Sequence, residues 1–544
     1  MIGREDRLWW IAAAGIASLV VVPIGALVVM ALQPDDGVSG HILATQGPRY
    51  TANTLLLVAL AVAVAASLGV IPAWLCTTCR FPGRVVIPAA MLLPLAVPPY
   101  LSAYAFADAL SPEGTLRATL GNLPAIDVRT IWTAGFVLGV SLCPYVFTCA
   151  RRAFIAQAPH TLAVARTLGV SPLAGFFRVA LPAAWPAIAF GIALVAMEAV
   201  ADFGVCDYLA VDTLTTGVYR AWYAQDSTPG AARLAVLLIA LISAGGIVFC
   251  MFLTRDANAR GSTLKVEPIA LPKALACVCT VVCSLPIVLG FVLPSGLFVV
   301  LSLQSDWATG FERSVSIAGH TLMVAAIAAG IGACLASITE FVRLLRPPLA
   351  VRWATAVVPL GYAIPGPVIA IGMLTSLLWL DRRLNGVTAS LTDDAWKPGL
   401  VLSGSLVAIV LGCQTRFLGV AIAPVRASFR QLSPRMLEAS RSLGTRPITA
   451  FGKIYVPAAI GGMAAAFVLT AADVAKELPM MLVLRPFDFD TLAVRAYQLA
   501  KDERLTEAAI PGLGLMLLGL VPVSLLVLFE RQPIATDASN DAEQ

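Results

Sequence analysis

The stretch PHTLAVARTLGVSPLAGFFRVALP, residues 159–182, has a counterpart later in the chain, PRMLEASRSLGTRPITAFGKIYVP, residues 434–457. The two segments lie 275 residues apart and align without a gap. The alignment pairs Phe154 with Phe429, Pro159 with Pro434, Arg166 with Arg441, Leu168 with Leu443, Gly169 with Gly444 and Pro182 with Pro457. Each segment is basic and lies between long apolar runs. The sequence therefore predicts an internal duplication.

The composition places the chain in a lipid bilayer. Of its 544 residues, 59% are hydrophobic and 13% are charged, whereas soluble domains are roughly 25% charged. A spanning helix needs roughly 20 apolar residues, so we predict an all-α integral membrane protein. The twelve predicted spans are 8–32, 53–76, 85–109, 131–149, 184–203, 233–254, 274–302, 320–342, 353–380, 399–422, 458–483 and 509–529. No connection exceeds about 35 residues, which leaves no room for a separate catalytic domain.

The spans divide into two units of six. Residues 255–269 are polar and charged and are typical of a linker. We therefore predict a first transmembrane domain at 1–254, a cytoplasmic linker at 255–272, and a second transmembrane domain at 273–544 with a short cytoplasmic tail. Six spans in each unit keep the same sidedness, so the repeats are expected to be parallel rather than inverted.

The distribution of Lys and Arg predicts the orientation. With the N-terminus in the cytoplasm, 23 of the 37 basic residues lie on the cytoplasmic side, 13 lie on the opposite side, and Lys476 lies within a span. Positive charge favours the cytoplasmic side, so we expect a multi-pass protein of the inner (plasma) membrane with both termini cytoplasmic. Both copies of the repeated segment then face the cytoplasm.

Shorter polar matches extend the duplication. Asn53-Thr54-Leu55 opens the second span and His320-Thr321-Leu322 opens the eighth. DTLTTGVY at 212–219 matches DTLAVRAY at 490–497. Prolines recur in the third and ninth spans, where we expect them to kink the helices; they are Pro94, Pro98, Pro99, Pro365 and Pro367.

The second copy of the repeated segment predicts two short helices along the membrane surface. Ser433 is placed to cap the first helix and Gly444 to stop it. The second helix is expected to begin near Pro447 and to end before Pro457. The first helix would present a small-residue patch, residues 438–440, with Arg441 and Leu443 beside it, that another backbone can approach closely. We interpret the loop as a docking knob, and the alternative is a basic surface that contacts lipid headgroups.

The spacing resembles the signature of permease subunits of binding-protein-dependent ABC importers. That signature is EAA, three residues, Gly, nine residues, Ile, one residue and Leu-Pro; here Glu438-Ala439-Ser440, Gly444, Ile454 and Val456-Pro457 match it. In the first copy Ala163 replaces the acidic residue, which puts a salt bridge there in doubt. The resemblance assigns ATPase docking to Ala163, Ala165, Gly169, Pro182, Glu438, Ala439, Ser440, Gly444 and Pro457. Two copies in one chain, together with the stretch KELPMMLVLRPFDFDTLAVRAYQLA at 476–500, resemble the fused iron(III)-type permeases.

The resemblance implies a transport subunit that is not itself an enzyme. A cytoplasmic ABC ATPase dimer would bind the two loops and use ATP, and a periplasmic or extracellular binding protein would deliver substrate. The chain would carry no covalently bound cofactor and would bind no nucleic acid. Gly452-Lys453 does not form a nucleotide-binding loop, because Pro447 and Ile454 occupy the positions of its first Gly and its Ser or Thr.

Ferric iron is the expected substrate. Thiamine, phosphonate or another small solute remains an alternative, as does a secondary transporter driven by an ion gradient. A membrane scaffold that transports nothing would leave the paired loops without a purpose.

Ionisable residues within the spans are the candidate pathway residues, because charge in a membrane is costly. Glu198 and Asp202 lie one helical turn apart, and the duplication matches them with Asp473 and Glu477, beside Lys476. Two carboxylate pairs would suit a hard cation such as Fe(III), although the sequence assigns no metal ligand. In the alternative, Lys476 and Arg485 neutralise the carboxylates, or the carboxylates fix loops.

Two further side-chain types within the spans have alternative roles. Tyr100, Tyr104 and Tyr362 would either pack or offer oxygen atoms. We expect Arg416, near the cytoplasmic end of its span, to snorkel to the membrane surface.

Overall fold

The computed structural model describes residues 4–34, 36–111, 114–115, 127–167, 171–253, 269–305, 307–391, 397–433 and 435–531. In the first half the helices are α1 Arg4–Ala31, α2 Ser39–Thr78, α3 Ile87–Ala96, α4 Pro99–Leu110, α5 Ile131–Thr167, α6 Leu173–Ala201, α7 Gly204–Tyr208, α8 Leu214–Tyr223 and α9 Thr228–Leu253. In the second half they are α10 Lys273–Gln304, α11 Trp307–Leu344, α12 Leu349–Ala363, α13 Gly366–Leu391, α14 Leu406–Arg430, α15 Arg435–Ser442, α16 Pro447–Lys476, α17 Pro479–Leu484, α18 Leu492–Lys501 and α19 Leu505–Arg531. Two short strands, β1 Cys79–Arg80 and β2 Ile269–Ala270, pair in parallel and join the end of α2 to the start of the second half.

Ten of the twelve predicted spans are continuous helices long and apolar enough to cross a membrane, within the described residues. The predicted third span is instead the pair α3 and α4, bent by 91°. The predicted ninth span is divided between α12 and α13. The chain is therefore the predicted all-α membrane protein, with a broken helix in place of one continuous span in each half.

Both breaks lie at the residue before a proline, as the prediction of kinks requires. Val97 has φ −93° and ψ 118°, and Ile364 has φ −86° and ψ 130°. Proline disfavours the helical conformation of the preceding residue, so the backbone is extended at both positions. The prediction of kinked helices at matching positions of the repeats is confirmed.

The first helix of each half packs against the other half. Thr415 Oγ1 in α14 donates to Leu19 O in α1 at 2.8 Å. In α10, a Cβ on Gly290 would lie 2.8 Å from Pro94 Cβ, so glycine permits close contact with α3. Each half therefore contacts the first helix of the other half. The predicted domain boundaries, 1–254 and 273–544, stay a prediction.

A threonine latch, defined by the contacts of Thr54 and Thr321, closes each half in the same way. Thr54 Oγ1 accepts a hydrogen bond from Leu214 N at 2.9 Å. Thr321 Oγ1 accepts one from Leu492 N, also at 2.9 Å. Both threonines are buried. The polar matches predicted from the sequence are therefore equivalent positions in space.

The residue before each threonine supports the latch. Asn53 Nδ2 donates to Asp212 O at 2.8 Å. His320 Nδ1 lies 3.3 Å from Asp490 O. The start of α2 or α11 is thus fixed to the loop before α8 or α18.

Thr54→Val and Thr321→Val are each expected to lower the free energy of unfolding by about 1 to 3 kcal/mol, because each leaves a buried backbone N–H without an acceptor. The thermal midpoint of the detergent-solubilised protein, followed by size-exclusion chromatography, measures the effect. Thr54→Ser and Thr321→Ser keep the hydroxyl and are the matched controls. Equal midpoints for the valine and serine variants would contradict the assignment.

Candidate functional site

A cavity of about 170 Å³ lies between the two halves, where the broken helices meet the ends of α6 and α16. We call it the central cavity. All five predicted pathway residues line it: Glu198, Asp202, Asp473, Lys476 and Glu477. The structure thus brings the two carboxylate pairs into one space, and their role in a pathway stays a prediction.

One carboxylate of each pair caps the short helix that follows. Asp202 directly follows α6, and its Oδ1 accepts from Val205 N at 3.0 Å and Cys206 N at 3.3 Å. Glu477 directly follows α16, and its Oε1 accepts from Met480 N at 3.2 Å. Helix N-termini favour negative charge, so these two side chains hold α7 and α17 against the cavity.

The other carboxylate of each pair lies one turn earlier and makes no cap. Glu198 Oε1 accepts a hydrogen bond from Tyr362 Oη, in the second half, at 2.6 Å. Asp473 forms no hydrogen bond or ion pair within the described part of the chain. Among the four cavity carboxylates, Asp473 therefore forms the fewest hydrogen bonds and ion pairs within the described residues.

Arg416 lies inside the central cavity, so the prediction that it snorkels to the membrane surface is wrong. Its side chain is 10% exposed, and its Nη1 lies 3.1 Å and 3.0 Å from the two carboxylate oxygens of Glu477. Gly366, at the start of α13, makes room for this pair: a Cβ there would lie 2.7 Å from both Arg416 Nη1 and Glu477 Oε1. The ion pair with Glu477 takes the place of the water that would hydrate the Arg416 guanidinium at the membrane surface.

Lys476 joins the halves through a backbone contact. Its Nζ donates to Leu95 O, at the end of α3, at 2.9 Å. Within the described residues Lys476 forms no ion pair with a carboxylate. Arg485 pairs with Asp490 instead, so the alternative in which Arg485 neutralises the cavity carboxylates is wrong.

The cavity lining holds four carboxylate side chains and two cationic ones, Arg416 and Lys476. Tyr100 and Tyr362 also line the cavity, whereas Tyr104 packs against Tyr208 with ring centroids 4.3 Å apart. Among the residues described, no group of three or more His, Cys, Asp or Glu side chains has the arrangement to hold a metal ion. The carboxylates therefore line the space rather than form a chelating site.

The second copy of the repeated segment forms the predicted surface helix, α15. Ser433 Oγ accepts from Arg435 N at 3.3 Å, as a cap does. Gly444 follows the helix with φ +74°, a conformation that favours glycine, and Thr445 N returns to Ser440 O at 3.0 Å. The predicted start and stop of this helix are confirmed. The prediction of a second short helix that ends before Pro457 is wrong, because a π-helical turn at Phe451–Tyr455 carries the helix that begins at Pro447 past Pro457 as α16.

The patch that α15 presents differs from the predicted one. Glu438, Ala439 and Gly444 are exposed, but Ser440 is 6% exposed and faces the membrane domain. Leu443, predicted to lie beside the patch, is 84% exposed, so Ser440 alone departs from the prediction. The reason is helical spacing, since Leu437 and Ser440 share the buried face.

Glu438 forms an ion pair with Arg346, just beyond the end of α11, at 3.3 Å. Both side chains are mostly exposed, so the pair contributes little to stability. The first copy has Ala163 at this position.

The first copy keeps the same backbone plan where it is described. Ala163 and Ala165 lie in the last turns of α5, while Gly169 lies outside the described residues. A π-helical turn precedes the proline in both copies, at Phe176–Ala180 before Pro182 and at Phe451–Tyr455 before Pro457. The duplication therefore extends to an unusual backbone feature.

The family model described as binding-protein-dependent transport system inner membrane component matches residues 67–260. A probable molybdenum ABC transporter permease protein of Haloferax volcanii is 30% identical over 42% of the chain and 82% of its own length. The chain belongs to this family of transport permeases.

The permease also has relatives with other named substrates. The Fe(3+)-transport system permease protein FbpB 2 of Haemophilus influenzae is 26% identical over 87% of the chain and 88% of its own length. The sulfate transport system permease protein CysT of Salmonella typhimurium is 29% identical over 26% of the chain and 51% of its own length. The match to the Fe(3+) permease covers both repeats, whereas the molybdenum and sulfate permeases match less than half of the chain.

Besides Arg416, sequence reasoning missed two polar side chains of the permease cavity. Tyr145 and Ser141, both in α5, line the central cavity. Ser141 is the position equivalent to Arg416 at the offset of 275, so the duplication was the available signal. The two halves thus differ at this point: one supplies a hydroxyl and the other a guanidinium.

Proposed function

We propose that the chain is the permease of a ferric iron importer, which moves substrate from an external binding protein to the cytoplasm with the help of a separate ATPase. The Fe(3+) permease of Haemophilus influenzae, which matches over 87% of the chain, supports this choice. The charge of the central cavity supports it independently.

The excess of carboxylates in the central cavity is the observation that carries the proposal. Four carboxylates and two cations line about 170 Å³. Two unit charges 4 Å apart interact by about 4 kcal/mol at an effective dielectric constant of about 20. Such a lining attracts a cation and repels a dianion such as molybdate or sulfate. Oxygen atoms of carboxylates and tyrosines are also the ligand type that suits a hard cation.

Contacts between the halves suggest how the cavity opens. Lys476 bonds Leu95 O, and Tyr362 bonds Glu198, each across the boundary between halves. Leu95 and Tyr362 both lie in the helices before the proline breaks. We infer that a rotation of one half against the other breaks these two contacts and moves the broken helices away from the carboxylates.

The ATPase is proposed to bind α15 and the corresponding end of α5. On α15 and the turn after it, the exposed side chains include Leu443 and, nearby, Ile448, which is 65% exposed. Exposed apolar side chains beside small residues are more stable when they are buried against a protein partner than when they face the aqueous cytoplasm. The binding protein would bind at the opposite ends of the helices.

Proteoliposomes that contain the chain, its ATPase and its binding protein test the substrate. We expect ATP-dependent uptake of radioactive Fe(III), and none of molybdate, sulfate, thiamine or phosphonate. Uptake of an oxyanion in place of iron, or uptake by the chain alone along an ion gradient, would overturn the proposal.

Glu198→Gln with Asp473→Asn tests the cavity, because neither side chain caps a helix. We expect iron uptake to fall by about tenfold or more as the attraction for the cation is lost. Asp488→Asn, which neutralises an exposed carboxylate outside the cavity, is the matched control and should leave uptake unchanged. Equal uptake by the double variant and the control would remove the cavity from the pathway.

A further inference from the structure

A second cavity, of about 280 Å³, lies in the second half between α10, α11, α18 and α19. It lies at the end of the helices opposite to α15, because α16 runs from the α15 loop to α17 and α18. Its polar lining includes Arg313, Arg495, Gln304, Ser314 and Thr506. We call it the arginine pocket.

The equivalent space in the first half is filled. The threonine latch fixes the correspondence between halves, which pairs Ile317 of the pocket with Tyr50 and Arg495 with Gly217. Tyr50 is 6% exposed, and a Cβ on Gly217 would lie 2.6 Å from its ring. In one half an aromatic ring packs on glycine, and in the other the ring is absent and an arginine replaces the glycine.

A third pair of equivalent positions differs in the same way. Gln46, which accepts a hydrogen bond from Tyr50 Oη at 2.7 Å, is matched by Arg313. The same duplicated framework thus holds a closed polar contact in the first half. In the second half it holds an open pocket with two guanidinium groups.

The charge of the pocket is positive. Its one carboxylate, Glu507, is already paired in a bidentate contact with Arg504, at 2.7 Å and 2.6 Å. Arg313 and Arg495 form no ion pair within the part of the chain that the structure describes. Two unpaired guanidinium groups with an amide and two hydroxyls supply donors and no competing free carboxylate.

We propose that the arginine pocket binds an oxyanion. Guanidinium groups bind the oxygens of phosphate, sulfate or carboxylate through paired, charge-assisted hydrogen bonds. The cavity volume of about 280 Å³ is many times the roughly 10 to 15 Å³ that holds one water by the same measure, so the pocket accommodates a small oxyanion with part of its hydration shell. The same chemistry fits a free inorganic ion or a carboxylate side chain of the binding protein.

Isothermal titration calorimetry of the full chain in lipid nanodiscs, with inorganic phosphate as the probe, tests the proposal. We expect one bound phosphate per chain. Arg495→Gln should weaken binding by about tenfold or more, the loss of one charged hydrogen-bonding partner. Arg129→Gln, on a different loop and mostly exposed, should bind phosphate as the unaltered chain does.

The double variant Ile317→Tyr with Arg495→Gly reproduces the filled arrangement of the first half and should abolish binding without disturbing the fold. Displacement of phosphate by the binding protein would assign the site to a carboxylate of that protein, and lack of displacement would assign it to a free ion; both support an oxyanion site. No phosphate binding by the unaltered chain, or equal binding by the double variant, would overturn it.

Discussion

Arg416→Met is expected to lower the free energy of unfolding by about 3 to 5 kcal/mol, because it leaves the buried carboxylate of Glu477 without a cationic partner. The side chains of Arg416 and Glu477 are 10% and 6% exposed, so water in the cavity compensates for little of the lost charge. The thermal midpoint of the detergent-solubilised protein and its yield in membranes measure the loss.

Two variants make this result specific. Arg416→Met with Glu477→Gln removes both charges and keeps an oxygen to cap α17, so it should recover most of the lost stability. Arg430→Met changes an exposed arginine at the end of the same helix and should leave the midpoint nearly unchanged. If Arg416→Met and Arg430→Met unfold at the same temperature, the buried ion pair does not stabilise the fold.

Ala439→Arg and Gly444→Val are expected to abolish uptake driven by ATP while the chain still reaches the membrane. Ala439 is exposed on α15, so a long side chain there obstructs a partner rather than the core. Gly444 has φ +74°, where a β-branched residue is strongly disfavoured, so valine distorts the turn after α15. Co-purification of the ATPase, together with its hydrolysis rate in the complex, measures the outcome.

Ser442→Ala is the matched control for the docking variants. Ser442 is exposed on the same helix, and its hydroxyl donates only to Glu438 O, one turn earlier. This variant should bind the ATPase and support uptake as the unaltered chain does. ATPase binding that survives Ala439→Arg at full strength would remove α15 from the docking surface.

Much of the fold follows from patterns that act locally. Apolar runs of sufficient length predict spans because the bilayer has a fixed thickness. Pro98 and Pro365 predict the breaks because proline acts on its own neighbour. The matches at Thr54 and Thr321 identify equivalent positions because a duplicated framework keeps its polar contacts.

The contents of the central cavity depend on packing between distant helices, which local patterns do not contain. Arg416 enters the cavity because Gly366 leaves space for it, and nothing near residue 416 reveals that space. Lys476 reaches Leu95 O across 381 residues of sequence. By contrast, the sequence by itself is sufficient to predict that Ser440 faces inward, because Ser440 lies three residues after the apolar Leu437 on the same helix face.

Because α1 packs against the second half, some of its contacts form only after most of the chain has been synthesised. Leu19 in α1 meets Thr415 in α14 across 396 residues. At about 5 to 20 residues per second, the ribosome needs roughly 20 to 80 seconds to synthesise the intervening chain. During that interval α1 has only its neighbours in the first half, such as Arg233 of α9, which donates to Ala31 O. The face of α1 that later packs against the second half must therefore first be stable in contact with lipid.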